Sequence, residues 1–175
     1  MNWPNRLSVI RVLCIPVITA LLYVSEPWCV WAATVVFLLA CFTDYLDGHL
    51  ARKNNWVTDF GKFIDPVADK LLVLSTLIML IHLRLVPAWL VILILARELS
   101  VDGLRLVAMT RGKVIAAGPL GKMKTVSQMI LILLLLVVRK PLFSHWFLLL
   151  CGIWVACITL WSGVDYFRKH ASLLK

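Results

Sequence analysis

Long apolar runs separated by short polar intervals fill the chain. Six are legible: Leu7 to Val24; Trp28 to Arg52, polar toward its end; Asp59 to His82; Pro87 to Met109; Leu120 to Val138; and Ser144 to Tyr166. A membrane-crossing α-helix needs about 20 residues, and each run is of that order. The pattern predicts an all-α polytopic membrane protein with six transmembrane helices, forming a single domain over residues 1–175. Between the runs lie Ser25-Glu26-Pro27, a polar link from Lys53 to Thr58, a Gly- and Pro-containing loop from Thr110 to Pro119, and Arg139-Lys140-Pro141. The run ending at Arg52 would be about 36 Å long at 1.5 Å per residue, so it carries its polar end beyond the hydrocarbon. Arg6 and Arg11 ahead of the first run imitate a secretory signal. No small-residue cleavage site precedes Ser25, however, and the run reads as a retained span.

Composition sharpens this picture. A hydrophobic content of 62% and a mean hydropathy of +0.92 lie far above the soluble range, and six spans leave no room for a separate soluble domain. The net charge of +9 is not gathered on a polar amphipathic element, so it does not read as nucleic-acid binding. Basic residues instead punctuate the span ends. With six spans, the two termini and the 2–3 and 4–5 connections share a side. Only Arg84, Arg139 and Lys140 of the 18 Lys and Arg oppose them, so that side is cytoplasmic by the positive-inside rule. The five cysteines, odd in number and without C-x-x-C spacing, are expected to be free thiols.

The chemistry concentrates between Asp44 and Asp69. At about 100° per helical residue, Asp44, Asp47, Gly48 and Ala51 share one face, and Gly61, Asp65 and Asp69 share another. Two helices therefore present two carboxylates each, at the ends of apolar runs. Carboxylates deep in a bilayer cost roughly 2.5 to 3.5 kcal/mol each, so cationic compensation is required. Arg52, Lys53, Lys62 and Lys70 could supply part of it. Two divalent ions match four convergent carboxylates better in charge and in preference for oxygen. Gly48 and Gly61 leave bare backbone beside the acids, and Arg52 adds a phosphate donor. Together these features read as a diphosphate site.

The pattern Asp44-x2-Asp47-Gly48-x2-Ala51-Arg52-x8-Gly61-x3-Asp65-x3-Asp69 resembles the signature of the CDP-alcohol phosphatidyltransferases. The resemblance implies a CDP-linked lipid whose diphosphate sits on two metals, Mg2+ or Mn2+, while a hydroxyl displaces CMP. It also implies Asp44, Asp47 and Asp65 as principal metal ligands. Asp69 would serve the second metal and act as base, and Asp44, Gly48, Ala51, Arg52 and Gly61 would bind CDP. A homodimer in the bacterial cytoplasmic membrane, among membrane lipids, is likewise what the resemblance implies.

Further basic residues bear on the acceptor. Arg97 and Arg105 lie about 80° apart around the fourth helix, and Lys122 and Lys124 open the fifth. Together they could form a second anion site. The alternatives are cytoplasmic anchoring and, for Arg97, pairing with Glu98 or Asp102. A phosphate-bearing acceptor is favoured. LARELSVDGLR, GKMKT and WSGVDYF also resemble the branch of the family that transfers the phosphatidyl group of CDP-diacylglycerol to sn-glycerol 3-phosphate. Asn5, Ser8 and Arg11 share a face of the first helix, where reaching the nucleotide region and interfacial anchoring both remain open. Asp165 is expected to pair with a basic neighbour.

The competing reading within the family is a cardiolipin synthase with a lipid acceptor. A small cation transporter would explain intramembrane carboxylates but not Gly48, Ala51, Arg52 and Gly61 at fixed offsets. A membrane prenyltransferase would be expected to carry two separated Asp-rich motifs, where this chain has one compound motif.

Overall fold

The computed structural model describes the backbone of residues 3–24, 26–54, 59–112, 115 and 118–170, and the side chains of residues 7–24, 26–43, 64–112, 115 and 118–170. Among the described residues the secondary structure is wholly helical: α1 Trp3–Val24, α2 Pro27–Asn54, α3 Asp59–His82, α4 Ala88–Thr110, α5 Pro119–Val138 and α6 Trp146–Lys169, with one 3-10 turn at Leu142–Ser144. The boundaries follow local chemistry. Pro27 and Pro119 open their helices, where a missing N–H costs nothing. Pro87 precedes α4 in an extended conformation. α3 continues through Pro66.

The helices cluster into two compact units. In the first, α1 packs against both α2 and α3, burying Ile18, Leu22, Phe37, Leu72 and Leu77. Near their C-terminal ends, Tyr23 of α1 stacks on His82 of α3 with ring centroids 5.6 Å apart. In the second unit α4 packs against α6. The 3-10 turn is seated on α6 by Leu142, whose Cδ2 lies 2.7 Å from where a Cβ on Gly152 would stand. Only glycine permits that approach. Trp154 of α6 donates from its indole Nε1 to Ser127 of α5 at 3.2 Å, beside an apolar groove of about 310 Å³ between these helices.

Three helices among the described residues are long and apolar enough to cross a membrane: Leu7–Val24, Pro119–Val138 and Trp146–Lys169; Pro27–Thr43 is a shorter apolar stretch. The side chains of α2 are described only as far as Thr43, and charges interrupt the other two helices. Asp65, Asp69 and Lys70 lie in α3, and Arg97, Glu98, Asp102 and Arg105 lie in α4. Large apolar side chains face outward along the three spans, including Leu13, Trp146 and Trp161, the last 69% exposed. Such surfaces call for an apolar solvent, and the chain is a membrane protein.

The end of α3 has a defined stop. Leu85 N–H donates to the Leu80 carbonyl and Arg84 N–H to that of Ile81, with Arg84 at φ 57°. This is the Schellman arrangement, in which glycine is the usual left-handed residue. Substituting Arg84→Gly should therefore raise unfolding stability by about 1 kcal/mol. Thermal unfolding in detergent checks this, and a fall would show that the arginine side chain contributes more than its backbone conformation costs.

Candidate active site

Two carboxylates of the acidic motif have described side chains, and both meet α1. Asp65 and Asp69 lie one turn apart on α3. Ser8 Oγ donates a hydrogen bond to Asp65 Oδ1, and Arg11 Nη1 donates to Asp69 Oδ1 at 2.6 Å. Arg11 is only 1% exposed, whereas Asp69 is 28% exposed. The ion pair therefore has a buried cationic side and a carboxylate open to its surroundings. A guanidinium buried in an apolar helix requires such a partner.

The sequence separations of the two contacts are 57 and 58 residues. Near-constant separation means that α1 and α3 run parallel and in register, and the Tyr23–His82 stack lies further along the same direction. Ser8 and Arg11, three apart, face α3 as a strip. Asp65 and Asp69, four apart, answer them from the α3 face that the sequence pattern assigned.

Asp44, Asp47, Gly48, Ala51 and Arg52 fall within α2 and Gly61 within α3, but their side chains lie outside the described residues, as does that of Asn5. Among the described residues no three Asp, Glu, His or Cys side chains converge. The donors that are described are carboxylate oxygens accompanied by a hydroxyl. That chemistry fits Mg2+ or Mn2+ rather than a softer thiolate-preferring metal.

A second charged cluster occupies the other unit. Glu98 of α4 is 6% exposed and accepts a hydrogen bond from the Lys124 ammonium of α5, itself 4% exposed. Arg97 Nη1 stands 3.5 Å from the same Glu98 oxygen. Arg105 turns instead to α6: its Nε donates to Tyr166 Oη at 3.0 Å, and its guanidinium carbon lies 5.5 Å from the ring centroid. Lys122 is exposed. Of the four basic residues expected in an acceptor site, Arg97 and Lys124 thus meet at Glu98, and Arg105 is held by Tyr166. Asp165 pairs with Lys169 at 2.8 Å, one helical turn away, as its sequence context predicted.

Against this geometry, the CDP-alcohol phosphatidyltransferase family model matches residues 1–161. The chain belongs to the CDP-alcohol phosphatidyltransferase family. Among its relatives is the "CDP-diacylglycerol--glycerol-3-phosphate 3-phosphatidyltransferase" of Bacillus subtilis, 42% identical with 99% of this chain and 97% of the relative covered. A protein of the same name from Pseudomonas fluorescens is 40% identical over all of this chain and 93% of its own length. A "Cardiolipin synthase (CMP-forming)" of Oryza sativa is 37% identical over 97% of this chain and 57% of its own length.

In this phosphatidyltransferase the partnership of α1 with the acidic motif is the feature that sequence reading left open. A cation in an otherwise apolar helix signals a missing anion, but only the α1–α3 register identifies which one. Replacing Arg11 with Met should lower unfolding stability by about 2 kcal/mol, the scale of a hydrogen bond to a charged group. Ser8→Ala should cost about 1 kcal/mol. Denaturant unfolding in chelator measures both, and unchanged stability in Arg11→Met would show that the pair contributes nothing to the fold.

Proposed function

We propose that this chain transfers the phosphatidyl group of CDP-diacylglycerol to sn-glycerol 3-phosphate, giving phosphatidylglycerophosphate and CMP. The observation that carries the reading is the pairing of Asp65 and Asp69 with α1 inside a chain similar over nearly its whole length to enzymes named for that reaction.

Asp44, Asp47, Asp65 and Asp69 are the residues assigned to hold two divalent cations, Mg2+ or Mn2+. When bound, the metals neutralise the diphosphate and lower the barrier to loss of CMP. Gly48, Ala51, Arg52 and Gly61 bind the CDP moiety, with the arginine fork suited to phosphate oxygens. A hydroxyl oxygen of the acceptor attacks the phosphatidyl phosphorus as the bond from that phosphorus to the CMP oxygen breaks. The hydroxyl proton passes to the Asp69 carboxylate. Arg11 holds that carboxylate in place.

Arg97, Arg105, Lys122 and Lys124 are the residues assigned to the acceptor phosphate, and Arg97 with Lys124 forms its core. Glu98 lies against both of these cations, and Asp102 also acts on Arg97, so the carboxylates orient the basic groups. The cardiolipin synthase reading has a specific observation in its favour, the similarity to the plant relative of that name. A compact pair of buried cations suits a small phosphorylated acceptor better than a second lipid.

The membrane arrangement belongs to the same reading. The six α-helices cross the bacterial cytoplasmic membrane, with both termini and the acidic motif on the cytoplasmic side, and two copies associate as a homodimer. Helices α3 and α4 then carry their charges inward rather than toward lipid.

CMP release by purified protein in detergent should require CDP-diacylglycerol, sn-glycerol 3-phosphate and a divalent cation together, and chelator should abolish it. Asp44→Asn, Asp65→Asn and Asp69→Asn should each reduce turnover by at least about 100-fold while remaining folded. Release driven by phosphatidylglycerol instead would transfer the assignment to cardiolipin synthesis.

A further inference from the structure

Arg97 does not simply project from α4. Its Cγ lies 3.3 Å from where a Cβ on Gly163 of α6 would stand, and its Nη2 lies 3.8 Å from the equivalent position on Gly121, in the first turn of α5. Nη1 reaches toward Glu98, and Nε has no hydrogen-bond partner among the described residues. The side chain is 11% exposed. It runs over the bare backbone of one helix to the start of another, with one arm beside a carboxylate.

Glycine at 163 has a cost. It sits in the interior of α6, buried, where alanine is normally preferred by about 0.5–1 kcal/mol. Its neighbour Ser162 is buried too and bonds back to the Thr159 carbonyl at 3.1 Å, so this face of α6 has little room to turn away. A methyl at 163 would press on Arg97 Cγ at a separation tighter than ordinary van der Waals contact. A long side chain that is free at its far end would move aside at little cost. Arg97 is fixed at its root on α4, and its guanidinium is held beside Glu98. Displacement at Cγ is therefore transmitted to the charged head.

We propose that Gly163 is a positioning residue for the acceptor: its missing side chain sets the path of Arg97, and thereby the placement of the guanidinium that receives the phosphate of sn-glycerol 3-phosphate. This rests on the acceptor role of Arg97 given above. Gly163 touches no substrate on this account and acts only through Arg97.

Helix propensity and acceptor binding then respond to one methyl group in opposite directions. Gly163→Ala should fold with a melting temperature close to that of the parent, because the gain in helix propensity offsets the crowding at Arg97. It should raise KM for sn-glycerol 3-phosphate about three- to tenfold, a fraction of the loss expected for removing a charge-assisted hydrogen bond outright. KM for CDP-diacylglycerol should stay within about twofold. Gly103→Ala, on the exposed face of α4 with no neighbour near the added methyl, is the control for helix propensity and should leave both KM values unchanged. Arg97→Gln, measured alongside, separates the two levels of the argument. A raised acceptor KM in Arg97→Gln with none in Gly163→Ala overturns the role of Gly163 and keeps that of Arg97. No change in Arg97→Gln overturns the acceptor assignment and the inference with it. A Gly163→Ala protein that fails to fold, or loses affinity for both substrates equally, assigns Gly163 to packing alone and also overturns the proposal.

Discussion

Charge inside an apolar helix bundle must be compensated within the bundle, and the described structure is arranged around that requirement. Arg11 lies in one of the most apolar helices of the chain and is almost wholly enclosed, yet isolated burial of a guanidinium would be prohibitive. Asp69 answers it from α3, one turn beyond the contact between Ser8 and Asp65. The parallel packing of α1 on α3 thus serves two purposes. It buries an apolar seam, and it ties the two carboxylates to a rigid element that does not itself belong to the acidic motif.

The same requirement takes another form in the second unit. There Arg97 and Lys124 share Glu98, Asp102 acts on Arg97 as well, and Arg105 meets a phenol and an aromatic face. The α1–α3 ladder, by contrast, sets one cation against two acids, with a serine hydroxyl on the second carboxylate.

Helix limits were legible in the amino-acid sequence: they fall within a few residues of the apolar runs because Pro27, Pro87 and Pro119 mark the starts. So was the shared helical face of Asp65 and Asp69, which are four apart. Pairing between helices was less accessible. Ser8 and Arg11 could be placed on one face of α1, but nothing local says that this face meets α3; that follows from the register of helices separated by a third, α2. Lys124 could be read from its charge alone as a phosphate ligand, and only the approach of α4 to α5 reveals Glu98 beside it. Among the described residues, α3 and α4 do not count as strongly apolar spans because they carry charges, and hydropathy cannot distinguish an ion pair turned inward from a charge facing lipid.

The parallel register of α1 and α3 also limits how such a chain can change. One residue added within α1 above Arg11, or within α3 ahead of Asp65, would rotate everything beyond it by about 100° and swing a charged partner onto the wrong side of its helix. Residues added outside the helices rotate neither face, and so carry no such constraint. Length variation in proteins built on this plan should therefore accumulate in the connections, with the helical segments that carry the ladder held to fixed length even where their apolar side chains are freely exchanged.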